Sequence, residues 1–303
     1  MAWFMFLVFA PLVAGVILAL VWWVLRGRAS EQPDSRTRLI SLAAGLLLFL
    51  GGLAERFLGS PILIRLDIPS VLMGWYADYH YIAPLVLGIL GLALLAFPAH
   101  ARPGQGTATL APRTPTSFGR AWWFVTAGAV AGLVVLITVI TGLASEPDST
   151  GRYMVYSVEV GGQYGMGTSI YGWFYSIPAL VLLVLMIVVV VIDLYLISRP
   201  ALEGDHIRDA HVRTLRTRNV LAVASGALLI HLGLILRSLA GTAGMQGQFT
   251  IDGGMVTSWT TFAALQPVLI GAGALTLALG FGLWATVPLS VLSRRRPASV
   301  TPS

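Results

Sequence analysis

WFYSIPALVLLVLMIVVVVIDLYLI, residues 173–197, is the stretch that decides the fold. Its one charged residue is Asp193. A bilayer core about 30 Å thick needs roughly 20 apolar residues at 1.5 Å each, and this run exceeds that length. Six more apolar stretches flank it: Trp3–Leu25, Leu39–Leu58, Tyr81–Phe97, Trp122–Leu143, Val220–Leu239 and Phe262–Val287. Tyr81–Phe97 reaches span length only with its flanking aromatics, as 79–98. The sequence therefore predicts an all-α, polytopic helical membrane protein: one membrane domain, 1–303, with spans at 3–25, 39–58, 79–98, 122–143, 173–197, 220–239 and 262–287. Residues 293–303 follow as a cytoplasmic tail.

Composition agrees. The chain is 56% hydrophobic and only 11% charged, against about 25% charged for soluble domains. A net charge of +6 would suggest nucleic acid in a soluble chain. Here the basic residues sit in short loops beside spans, where membrane orientation accounts for them and nucleic acid does not. All 19 basic residues are arginine, so a retinal Schiff base, which needs lysine, is excluded. Cysteine is absent, which excludes disulfides, thiolate chemistry and cysteine-held clusters or zinc. The N-terminal run lacks a basic leader and is too long for a signal-peptide core, so it reads as a retained helix.

Assigning the connections alternately to two sides places fifteen of the 19 arginines together. They are Arg26, Arg28, Arg36 and Arg38; Arg102, Arg113 and Arg120; Arg199, Arg208, Arg213, Arg216 and Arg218; and Arg294, Arg295 and Arg296. Arg56, Arg65, Arg152 and Arg237 fall on the other side. The positive-inside bias makes the first side cytoplasmic in a bacterial-type plasma membrane, with the N-terminus outside and the C-terminus inside. Residues 99–119, rich in Pro, Thr, Ala and Gly, read as a flexible linker. Residues 199–218 carry both charge signs and read as a solvated loop or a short surface helix, with arginines within reach of anionic headgroups.

The opposite connections are aromatic instead. Trp75, Tyr76, Tyr79 and Tyr81 form one group; Tyr153, Tyr156, Tyr164, Tyr171, Trp173, Phe174 and Tyr175 form another. Flat rings with one polar atom suit the membrane–water boundary, so an aromatic belt is expected. A stacking surface for a sugar or a headgroup is the sharper alternative.

An internal repeat is also legible. AAGLLLFLGGLAERFL (43–58) aligns with ASGALLIHLGLILRSL (224–239), matching Gly45 with Gly226, Gly52 with Gly233 and Arg56 with Arg237. Each copy continues through an acidic residue, a tryptophan and a proline: Asp67, Trp75, Pro84 and Asp252, Trp259, Pro267. A looser middle copy carries Glu159, Trp173 and Pro178, with Val139 in place of the arginine. The expected plan is one leading helix followed by three external-loop hairpins.

Ionisable groups at membrane depth cost roughly 2.5–3.5 kcal/mol on insertion scales, so each needs a partner or a purpose. Glu55, Arg56 and Arg237 end their helices on the external side, with Asp67 and Asp252 in the loops beyond and His231 six residues deeper than Arg237. Together these six form a candidate polar cluster. The bland expectation is interfacial side chains snorkelling to water and a histidine bonded across helices. The functional one is an outward vestibule in which each arginine meets a carboxylate. Asp193 stands near the cytoplasmic end of its span, within reach of the boundary or of Arg199. His206 and His211 lack a metal-binding partner set, the external methionines are dispersed, and GGQYGMG (161–167) is not a phosphate loop.

No catalytic, cofactor or metal signature appears. The leading expectation is a non-enzymatic protein, either a permease-like unit or the membrane subunit of a transport or envelope assembly. Nucleotide-driven action would require other membrane or ATPase subunits, since the chain carries no nucleotide-binding motif. A structural or accessory scaffold is the alternative, and an intramembrane enzyme ranks last. The lipid bilayer is the one partner composition guarantees.

Overall fold

A computed structural model describes residues 2–27, 33–60, 69–97, 114–161, 164–199, 206–251 and 254–292. Helices dominate: α1 (Ala2–Trp22, running into a π-helical turn at Trp23–Gly27), α2 (Ser35–Leu58), α3 (Ser70–Tyr79), α4 (Ala83–Leu95), α5 (Ala121–Leu143), α6 (Trp173–Ser198), α7 (His206–Ala243) and α8 (Gln266–Leu289). Six are long and apolar enough to cross a membrane, and α3 with α4 makes up to a seventh span. The chain is a multi-pass membrane protein.

The expected span at 79–98 is not one straight helix. α3 and α4 meet at 75°. Pro84 sits in the first turn of α4, where its missing N–H costs nothing but cannot continue a ladder from α3. None of α3 is buried, and Val71, Leu72 and Trp75 are exposed. The Tyr81 carbonyl accepts from His231 of α7, and Arg216 of α7 donates to the Leu95 carbonyl. Those two α7 residues lie about 22 Å apart along the helix axis, so α4 covers most of a bilayer while α3 turns aside.

The centre of the bundle is α7. Its span is 94% buried, against 17–39% for the other single-helix spans. It packs on α4, α5, α6 and α8. Where composition predicts a loop or surface helix at 199–218, α7 already begins at His206 and continues unbroken. Arg213 pairs with Asp209 one turn back through two contacts of 2.8 Å, a spacing that favours helix.

Glycines set the closest helix contacts. A Cβ at Gly226 would meet Trp284 and the Gly280 carbonyl, and one at Gly233 would meet Leu277 and the Gly273 carbonyl. These heptad-spaced pairs bring α7 and α8 backbone to backbone. The matched glycines of α2 also face α8: a Cβ at Gly45 would strike Pro288, and one at Gly52 would strike Phe281. Residues in register in the two sequence copies thus meet different partners. Gly226 and Gly233 contact the helix that follows them, whereas Gly45 and Gly52 contact α8 rather than α4.

The all-α expectation needs one amendment. Two connections at the end opposite the arginine-rich segments contain antiparallel strands. One holds β1 (Glu146–Pro147), β2 (Tyr153–Gly161) and β3 (Tyr164–Ser169), and the other β4 (Gln246–Ile251) and β5 (Gly254–Trp259). Tyr156 and Thr261 hydroxyls join them at 2.8 Å, and Tyr156 packs edge-on against Phe262 at 5.5 Å. Backbone groups outside a helix must find partners, and strand pairing supplies them here.

Candidate functional site

Glu55 and Arg56, adjacent near the end of α2, close on each other. Arg56 Nε donates to Glu55 Oε2 at 2.5 Å and Nη2 to Oε1 at 2.7 Å. Neighbouring side chains on a helix do not naturally face one another, so this two-point pairing requires both long side chains to curl together. Both are buried, at 6% and 5% exposure. Tyr76 of α3 donates its hydroxyl to the Glu55 carbonyl at 3.1 Å, and the guanidinium lies 5.8 Å from the centre of the Phe281 ring. The planar fork of arginine suits a carboxylate at two points, and the pair carries no net charge.

His231 is buried on the central helix and tied at both nitrogens. Nδ1 lies 2.8 Å from the Tyr81 carbonyl and Nε2 3.3 Å from the Tyr171 hydroxyl. A carbonyl can only accept, so Nδ1 carries the proton and Nε2 accepts from the tyrosine. The ring therefore bridges α7, the start of α4 and the segment before α6, with neither nitrogen left for a metal or haem. Tyr81 packs edge-on against Tyr171 and Tyr175, each at 4.9 Å, completing a three-tyrosine plug over the histidine.

Arg237 behaves differently. It is exposed, and no ion pair forms with it among the described residues. Asp67 and Asp252, the remaining members of the predicted cluster, lie outside the described residues. A further pair forms at the same end, Arg152 with Asp78 at 3.3 Å, with the guanidinium 4.8 Å from the Phe174 ring centre.

The arginine-rich end has polar chemistry that orientation alone does not suggest. Arg213 donates to the carbonyls of Ile197 and Arg199, and Arg216 to those of Leu95 and Phe97. The last carbonyls of α6 and α4 are capped this way, where a cation also complements the helix dipole. Asn219 donates to Ser290 at 3.1 Å and to Ser41 at 3.5 Å, tying α7 to α8 and α2. Asp193 does not reach Arg199, whose guanidinium lies 5.6 Å from the Tyr195 ring centre. The carboxylate is 1% exposed, and neither oxygen has a hydrogen-bond partner among the described residues.

No group of three or more His, Asp or Glu side chains placed to hold a metal occurs among the described residues. Comparison with family models, with characterised proteins and with solved structures returns no match to this chain.

Sequence reasoning missed the tyrosines that hold His231. Tyr81 and Tyr171 each stand just outside an apolar run, where an aromatic belt explains them adequately. The missing signal was long-range: a histidine inside a span needs two partners, and the aromatics at the same depth are the available ones.

Proposed function

We propose that the chain is the non-enzymatic membrane subunit of a larger transport or envelope assembly. It sits in a bacterial-type plasma membrane with the strand hairpins outside and the arginine-rich segments in the cytoplasm. The observation that carries this reading is the position of α7. A helix 94% buried along its span occupies the axis that a substrate path through a bundle would use. Glu55 and Arg56, which a permease would turn into an outward vestibule, are closed on each other and buried. What the bundle presents instead is broad apolar surface, as on α6, where Val181, Val184 and Val188 are exposed. Such faces meet lipid or another membrane helix.

A photoreactive residue at Val181 or Val184, activated in native membranes, is expected to give one discrete protein adduct. Vesicles containing the purified chain alone are expected to stay impermeant to small solutes. Adducts to lipid only, together with solute flux through the chain alone, would replace the subunit reading with a permease. Because the chain has no cysteine, single cysteines report orientation cleanly. Ser149→Cys should label from outside and Thr116→Cys only after permeabilisation, and the reverse pattern would invert the proposed topology.

A further inference from the structure

A groove of about 690 Å³ runs between α1, α5, α7 and α8 near the arginine-rich end, a volume within the usual range for small-molecule sites. Its long wall is apolar, built from Leu18, Val130, Leu221, Leu229, Leu279 and Leu283. Leu18 and Leu279 stay exposed, Leu279 in the interior of α8, so the groove opens sideways along its length. From Asn219 to Leu236 every residue of α7 is buried except Leu229, which lines this groove. Over that stretch the most enclosed helix in the molecule is uncovered at one place only.

The mouth has different chemistry. Arg120 and Arg218 line it with Trp22, Trp122 and Trp123, and no acidic residue does. The Arg218 guanidinium lies 5.1 Å from the Trp22 ring centre, and Trp122 stacks on Trp123 at 4.4 Å. Neither arginine is ion-paired among the described residues. Thr217, one residue before Arg218, lines the same groove, and its buried hydroxyl has no hydrogen-bond partner among the described residues. Cations and indoles at one level above an apolar slot match the layering of a lipid leaflet. The length also fits: Arg218 to Leu229 along α7 is about 16 Å at 1.5 Å per residue, close to half of a hydrocarbon core of about 30 Å.

We propose that this groove is a specific site for one anionic phospholipid. An acyl chain lies along Leu221 and Leu229, and the phosphate sits between Arg120 and Arg218. Two guanidiniums without a carboxylate favour a headgroup of net negative charge, such as phosphatidylglycerol, over a zwitterionic one. Arginine also offers phosphate a matched fork of donors.

Native mass spectrometry of the full chain, released from nanodiscs of phosphatidylglycerol and phosphatidylcholine, tests this. The expected result is one saturable phosphatidylglycerol adduct, preferred roughly 30-fold at the strength usual for two arginines near an anionic headgroup. Arg120→Gln with Arg218→Gln should abolish that preference, whereas Arg36→Gln with Arg38→Gln, which removes the same charge from exposed positions, should preserve it. Leu279→Trp fills the groove without touching either guanidinium and is expected to displace the lipid. Equal binding of the two lipids, equal loss in the Arg36/Arg38 variant, or a full adduct in Leu279→Trp would each overturn the proposal.

Discussion

Arg56 ends α2 and Arg237 approaches the end of α7 in the same sequence register, yet one is buried and the other exposed. The preceding residue separates them. Glu55 gives Arg56 a carboxylate at 2.5 and 2.7 Å, so the guanidinium enters the bundle as half of a neutral pair. Leu236 gives Arg237 no carboxylate to close on, Glu55 acts on it only from beyond ion-pair distance, and the side chain stays at the surface. Burying an ion is tolerated when its charge and donors are answered, so a single neighbouring side chain decides which arginine becomes part of the interior.

Removing Glu55 should have the largest effect. Glu55→Ala leaves a buried, uncompensated guanidinium and is expected to cost about 3–5 kcal/mol, read as a lower unfolding midpoint in detergent. The double change Glu55→Leu with Arg56→Met should recover most of that loss. If Glu55→Ala and Arg237→Ala cost the same, the contrast between the two arginines collapses. Arg56→Lys keeps the charge but loses one of two charge-assisted hydrogen bonds, and about 2 kcal/mol is expected by the same measurement. Arg237→Gln should change stability by no more than about 0.5 kcal/mol, the usual range for a surface substitution.

The smallest effect extends the contrast to a carboxylate in water. Asp148, in the turn before β2, accepts from the Thr150 hydroxyl at 2.7 Å and from the Thr150 and Arg152 amides at 2.8 and 2.9 Å. The Thr150 hydroxyl first, then the Arg152 amide, hold its carboxyl below the ordinary range. A depressed folded value means its contribution is complete above the unfolded pKa of about 3.9 and fades as pH falls through the folded one. Amide exchange at Thr150 and Arg152 should therefore quicken, relative to the intrinsic rate, only below about pH 4. Asp148→Asn should remove that pH step while leaving the β2–β3 pairing intact.

The spans were readable because twenty apolar residues in a row have few alternatives. Their arrangement was not. Nothing in the leucines of 220–239 marks α7 as central, since that depends on which faces its neighbours leave open. The register of Gly226 and Gly233 was visible, but not that Gly280 and Gly273 answer them across the interface. The strands had a local signal that the aromatic reading obscured. Tyr153–Val160 is rich in β-branched and aromatic residues, and the Asp-Gly at 252–253 is a hairpin-turn dipeptide. The Glu55–Arg56 pair was legible as neighbours in sequence, whereas the partners of His231 lie 60 and 150 residues away.

The enclosure of α7 also fixes an order of events during biosynthesis. A chain made at about 5–20 residues per second delivers α4, α5 and α6 to the membrane before the helix they pack on, and α8 only after it. Until His206–Ala243 enters, α4, α5 and α6 lack the helix against which they pack. The hydroxyl of Ser41 has yet to meet Asn219, the carbonyl of Tyr81 has yet to meet His231, and the tail carbonyls of α4 and α6 have yet to meet Arg216 and Arg213. A chain halted before residue 206 therefore leaves exposed polar groups that the finished bundle answers, and α8 closes the core only once α7 is in place.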